Sequence, residues 1–144
     1  IGLAQSISTI MSDGKIIDTV VHALAGGLGS VPTLLQAPAM LIANTIINVF
    51  LTSGSGQAAA VMPILVPLSD LIGVTRQTAV LAFNFGDGFC NYILPTSTAL
   101  MGIISACNIP YDRWMRFMWK MFAIWLVVGT VLLVIAQLIN YGPM

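Results

Sequence analysis

Two glycines, a proline, a carboxylate and an amide interrupt an otherwise apolar stretch between Phe85 and Thr98. The segment reads Gly86-Asp87-Gly88-Phe89-Cys90-Asn91-Tyr92-Ile93-Leu94-Pro95-Thr96-Ser97 and resumes as Ala99-Leu100-Met101 with no hydrophilic linker. In hydrocarbon every backbone N–H and C=O needs a partner, so irregular backbone survives only against protein or a water-filled cavity. Discontinuous membrane helices of this kind hold substrates and coupling ions in secondary transporters. A second interruption, Thr52-Ser53-Gly54-Ser55-Gly56-Gln57, precedes it by about thirty residues. The pair of breaks is the main functional signal in the chain.

The reading of both breaks as membrane features rests on composition. Of 144 residues, 58% are hydrophobic and 7% charged, against roughly 25% charged in a soluble domain. Mean hydropathy is +0.96. The implied class is an all-α integral membrane protein. Five acids and five bases cancel, so no basic stripe is present for nucleic acid. Ile1 opens the chain with no charged n-region behind it, and we expect the C-terminal part of a larger carrier, with its N-terminal half as a partner. Cys90 and Cys107 lack metal-ligand spacing and are expected to be unlinked small hydrophobes.

The chain divides into four parts. Residues 1–32 read as a helix end followed by an interfacial amphipathic helix, with Ile16, Ile17, Val20, Val21, Leu24 and Leu28 on one face and His22 on the other. Fourteen residues, Lys15 to Leu28, are too few to span. Residues 33–73 predict a helical hairpin with its tip at 52–57, because an aqueous loop usually carries charge and this one holds only small polar residues. Residues 74–107 predict a discontinuous helix broken at 86–97, with Thr75 as cap. Residues 108–144 predict an interfacial turn and a final span from Met121 to Ile139. Arg113, Arg116 and Lys120 place the start of that last span in the cytoplasm, and the C-terminus outside.

Asp87 is the one carboxylate expected at membrane depth, and such acids are functional by default. Its roles would be proton carrier, Na⁺ ligand or partner for a cationic substrate group. Thr96, Ser97 and Thr98 open one half-helix, and Gln57 to Ala59 another, both suited to an anion. If the breaks meet, the site would suit a ligand of both charges, such as an amino acid, or a small dicarboxylate with Na⁺ or H⁺. Ser53, Gly54, Ser55, Gln57, Asp87, Asn91, Thr96 and Ser97 are therefore the candidate substrate residues, with Na⁺ at Ser53, Gly56 and Asp87. Asn44, Asn48 and Thr52 recur every four residues, and with Asn84 could line a path or hold a neighbouring helix. Asp112 and Arg116 have the spacing of a helical ion pair.

An enzyme is not expected. Phe85-Gly86-Asp87-Gly88 is preceded by Asn84, where intramembrane aspartyl proteases need Gly. Ser53-Gly54-Ser55-Gly56 likewise lacks the first Gly of rhomboid-type serine proteases, and no membrane His is available as base. No cofactor is implied beyond a coupling ion.

The chain resembles a known family through Ser53-Gly54-Ser55-Gly56-Gln57-Ala58, Met62-Pro63, Gly73-Val74-Thr75-Arg76-Gln77, Phe85-Gly86-Asp87-Gly88-Phe89 and Pro95-Thr96-Ser97. These are similar to motifs of the anaerobic C4-dicarboxylate carrier family, nearest to its basic amino-acid antiporter branch. The resemblance implies the ion transporter superfamily: inverted repeats, each with a re-entrant hairpin and a broken helix, in an often dimeric, elevator-like carrier. This chain would supply most of the second repeat. Ser53-Gly54-Ser55 stands where sodium–dicarboxylate relatives have Ser-Asn-Thr at a hairpin tip.

The resulting expectation is a secondary transporter of the bacterial inner membrane, exchanging a small charged metabolite, foremost an amino acid. A C4-dicarboxylate carrier is the alternative. From another class comes a non-transporting scaffold subunit, which would keep the Cys90 thiol buried.

Overall fold

A computed structural model describes residues 31–142 together with His22, Gly26 and Gly27. The described residues form five helices, α1 (Thr33–Phe50), α2 (Gly54–Ile72), α3 (Arg76–Cys90), α4 (Thr98–Ala106) and α5 (Tyr111–Leu138), and no strand. Of these, α1, α2 and α5 are long and apolar enough to cross a membrane. The reading of 1–32 lies outside the described residues, save that His22 is exposed and Pro32 precedes α1.

Helix boundaries follow local chemistry. Ser53, Thr75 and Ser97 cap α2, α3 and α4, each hydroxyl accepting from the backbone N–H three residues on. Gly73 ends α2 with φ 75°, and the Val74 N–H returns to Ser69 O at 3.0 Å. This is the left-handed exit that glycine takes without steric cost. Asn108 and Asn140 make the equivalent exits from α4 and α5.

Two boundaries differ from expectation. The tip contracts from 52–57 to 51–53, because Ser53 caps a helix that already includes Gly54 to Gln57. The break contracts from 86–97 to 91–97: α3 runs through Gly86, Asp87 and Gly88 to Cys90. Pro95, which lacks an N–H and restricts Leu94 before it, belongs to the true break. The turn at 108–110 leads straight into α5, one helix of 28 residues that begins after Pro110 and takes in the span from Met121.

The third helix is the hub. It packs most broadly on α1, and also on α5 and α2. The core contains Ala37, Met40 and Leu41 of α1, Leu65 and Leu68 of α2, Ala79, Ala82 and Phe83 of α3, and Leu133 of α5. Small residues set the spacing: a Cβ on Gly86 would lie 2.8 Å from Asn44 Cβ, and one on Gly129 would lie 2.9 Å from the Phe89 ring. Polar ties close the ends. Ala37 N–H donates to Gln137 Oε1 at 3.3 Å, and Thr75 Oγ1 donates to Tyr141 O at 2.6 Å.

Arg76 and Asp70 pair across the α2–α3 turn at 2.8 Å, both exposed. Solvent screens a pair this exposed, so Arg76→Ala is expected to leave the thermal midpoint at neutral pH unchanged, as a melt of both proteins would show. The expected Asp112–Arg116 pair does not form; the one ion pair among the described residues is Arg76–Asp70.

Candidate functional site around Asp87

The two interruptions meet, and Asn48 joins them. It sits on the last full turn of α1, wholly buried, where it faces both neighbouring helices. Its Nδ2 donates to Gln57 Oε1 at 2.7 Å and to Asp87 Oδ1 at 2.6 Å. Gln57, also wholly buried, returns a bond from Nε2 to Asn44 O at 3.2 Å. One amide therefore ties the first turn of α2 to the last turn of α3.

Asp87 receives a second side-chain donor from its own helix. Asn91 caps α3 and donates from Nδ2 to Asp87 Oδ1 at 3.1 Å and to Asp87 O at 2.9 Å. The other carboxylate oxygen turns to α2. A Cβ built on Gly54 would lie 2.8 Å from Asp87 Oδ2 and 3.5 Å from Oδ1. Gly54 is the first residue of α2, so the carboxylate rests at the positive end of that helix. No basic side chain pairs with it among the described residues. Its charge is met by amide dipoles alone. Beside it, Asn48 Oδ1 and Asn44 Oδ1 are buried without a hydrogen-bond partner, a state that calls for a donor or a cation.

The close approach at Gly54 gives a test. Ala at an exposed helix start would normally gain a few tenths of a kcal/mol over Gly, but here its methyl must push the carboxylate off Asn48 and Asn91, costing about 1–2 kcal/mol for weakened charged hydrogen bonds. Gly54→Ala is therefore expected to lower stability, and the loss should vanish in an Asp87→Ala background. Thermal melts of the four proteins of that cycle measure it.

The remaining candidates divide. Gly54, Gln57, Asp87 and Asn91 come together, as do Asn44 and Asn48, which are buried in this conformation. Ser53 is spent as a cap, its Oγ accepting from Gly56 N–H at 3.3 Å. Thr52 lies in the loop and Ser55 is exposed on the first turn of α2. Asn84 turns away, exposed, onto Val80 O. Ser97 caps α4 and is buried, whereas Thr96 is exposed. Asp87 lies within the last turn of α3 rather than beyond its end. Cys90 and Cys107 are unlinked, as expected; Cys90 is buried, its Sγ donating to Thr45 O at 3.6 Å, and Cys107 is exposed.

A cavity of about 420 Å³ adjoins this network, walled by Gly88, Asn91, Tyr92, Ser97, Leu100 and Trp114 among others. Trp114 Nε1 donates to Tyr92 O at 2.9 Å, pinning the start of α5 to the break. Asn91 is shared by network and cavity. Tyr92 and Trp114 were not expected here. An interfacial aromatic gives no sign in sequence that it also closes a break 22 residues away.

The model of the family described as C4-dicarboxylate anaerobic carrier matches residues 1–138. The chain belongs to the C4-dicarboxylate anaerobic carrier family. Two curated relatives agree. The Escherichia coli (strain K12) protein named "Putative basic amino acid antiporter YfcC" is 36% identical over 98% of this chain and 29% of its own length. An uncharacterized protein of Haemophilus influenzae (strain ATCC 51907 / DSM 11121 / KW20 / Rd) is 30% identical over 94% of this chain and 26% of its own length. The chain thus spans under a third of the curated relatives it matches. No solved structure matches it. Family membership and three helices of spanning length mark a multi-pass membrane protein.

Proposed function

We propose that this chain is the C-terminal repeat of a secondary transporter that exchanges a small charged metabolite, foremost a basic amino acid, across the bacterial inner membrane by elevator-like alternating access. The observation that carries the reading is the Asp87 carboxylate, poised between two chain interruptions with no basic side chain to neutralise it. An ammonium group of the substrate supplies the missing positive charge. The unpartnered oxygens of Asn44 and Asn48 suit the same ammonium, or a coupling Na⁺. The free N–H groups opening α2 suit the substrate's carboxylate. The α1–α2 pair acts as the re-entrant hairpin, since its turn holds small polar residues and its tip is tied to buried groups. The N-terminal half supplies the other side of the site, and the carrier is a homodimer.

Family membership favours a second reading, a C4-dicarboxylate carrier with a Na⁺ or H⁺ partner, in which Asp87 serves the coupling ion. Exchange in proteoliposomes of the full-length parent separates the two. Vesicles loaded with arginine, ornithine, a neutral amino acid or succinate are offered the matching labelled compound, with Asp87→Asn in parallel. Amino-acid exchange lost in Asp87→Asn supports the first reading. Succinate exchange with amino acids inert removes it. A scaffold was expected to keep Cys90 buried, and it is buried in this conformation; thiol labelling at Cys90 that rises during exchange, with Cys107→Ser as background, would count against the scaffold.

A further inference from the structure

We propose that Asp87 is the tethered occupant of an anion-binding site, and that a ligand carboxylate enters that site only as the Asp87 carboxylate leaves it. The site consists of the opening turn of α2 at Gly54, the Asn48 amide and the Asn91 amide. This rests on the reading of the chain as a carrier of charged metabolites, but the site itself is argued from the Asp87 surroundings alone.

The donors that reach the Asp87 carboxylate are two neutral amides, both on Oδ1, while Oδ2 faces the opening turn of α2. Asn48 Nδ2 reaches Oδ1 at 2.6 Å and Asn91 Nδ2 reaches it at 3.1 Å. Oδ2 lies against Gly54, so close that a Cβ there would fall 2.8 Å away. Such a set recognises a carboxylate by geometry and dipole, without regard to which molecule carries it. Asn48 is held in place independently, through Gln57, so the site does not depend on Asp87 to form. No cation would be left behind when Asp87 departs, and a second anion could not share so small a space with it. The two carboxylates are therefore mutually exclusive.

The Asn48 amide also shows what draws Asp87 out. Its Nδ2 serves the anion, while its Oδ1, part of the same planar group, is buried with no partner. A zwitterion satisfies both: its ammonium takes Asp87 and the orphaned oxygen, and its carboxylate takes the vacated helix start. A simple monoanion offers no such inducement and is excluded while Asp87 is ionised. Gly54 belongs to the device, since any side chain there would fill the site.

Chemical rescue tests this with acetate as the probe. In the full-length parent in detergent, Asp87→Ala is expected to lower the thermal midpoint by several degrees. Acetate should then restore at least half of the loss, saturably, while chloride at equal ionic strength and the bulkier benzoate do not. Wild type and Asp87→Asn, whose sites are filled, should be indifferent to acetate. If Asp87→Ala folds only when purified in acetate and unfolds on its removal, the proposal stands. Equal recovery in chloride, no recovery in a folded variant, or failure to fold with acetate as without it overturns the proposal. Rescue without amino-acid exchange would keep the anion site and remove the substrate reading. Exchange lost in Asp87→Asn without rescue would do the reverse.

Discussion

Gly86→Val is expected to be the most damaging single change in the packing of this chain. The Cβ it adds would lie 2.8 Å from Asn44 Cβ, 3.0 Å from Thr45 N and 3.1 Å from Asn44 C. Two of those three atoms are helix backbone, which can yield only if α1 and α3 move apart. That interface is the broadest in the structure, and it carries Ala37, Met40 and Leu41 against Ala79, Ala82 and Phe83. Overpacking costs about 1–3 kcal/mol where side chains can adjust, and more where they cannot. Ala at this position would regain about 1 kcal/mol of helix propensity over Gly, so Gly86→Ala should be destabilising by a smaller margin. Gly129→Ala is the control: its nearest neighbour, at 2.9 Å, is the outer edge of the Phe89 ring, which can tilt. It should come out near neutral. Gly88→Ala meets nothing within 4 Å and should be neutral or stabilising. Denaturant titrations of the four variants test the ranking. Equal losses at positions 86 and 88 would show that the glycines serve backbone freedom rather than helix approach.

That contrast also explains which parts of the structure were legible in the sequence. Glycines at 86 and 88 beside an acid look like a helix break, because nothing local distinguishes a glycine that frees the backbone from one that admits a neighbouring helix. Gly86 is of the second kind, so the helix runs on to Cys90. Pro95 is unambiguous, and the break it marks is where the chain turns. The hydroxyls at 53, 75 and 97 announce helix starts through a contact three residues long, and Thr75 was readable as one for that reason. That the chain carries helices long and apolar enough to cross a membrane was legible from hydropathy alone.

The site was legible in its members and not in its wiring. Asp87 stood out as a lone acid in an apolar stretch, and Asn44, Asn48 and Thr52 as a polar stripe. Four-residue spacing fixes the face a residue occupies but not what that face meets. Asn48 meets Gln57 and Asp87 at sequence separations of 9 and 39, and only the packed fold supplies that fact. Gly54 stands where the resemblance puts an Asn side chain; the structure shows a position that has to be empty for Asp87 to approach.

Asn48→Leu is expected to have the second large effect, and to act on function as well as on fold. Leu fills a similar volume, so little of the cost arises from a cavity. What is lost is one donor serving two acceptors, Gln57 Oε1 at 2.7 Å and Asp87 Oδ1 at 2.6 Å. Interhelical hydrogen bonds in membrane proteins average only about 0.6 kcal/mol, because partners are also found in the unfolded reference state. A bond to an ionised group is stronger, about 1.5–3 kcal/mol, and a buried acceptor left unserved adds its own desolvation cost. The charged bond should therefore dominate, for a total loss of about 2–4 kcal/mol. The partition can be measured. If the Asp87 bond dominates, Asn48→Leu in an Asp87→Ala background should cost much less than in wild type. If the Gln57 bond dominates, the same relief should appear in Gln57→Leu instead. Asn48→Asp is the sharper functional test: it preserves shape but removes the shared donor and sets a second carboxylate against Asp87. Exchange should be lost in Asn48→Asp as in Asn48→Leu. A wild-type exchange rate in Asn48→Leu would show that the tie between hairpin tip and broken helix is dispensable, leaving Asn91 and the start of α2 to hold Asp87 by themselves.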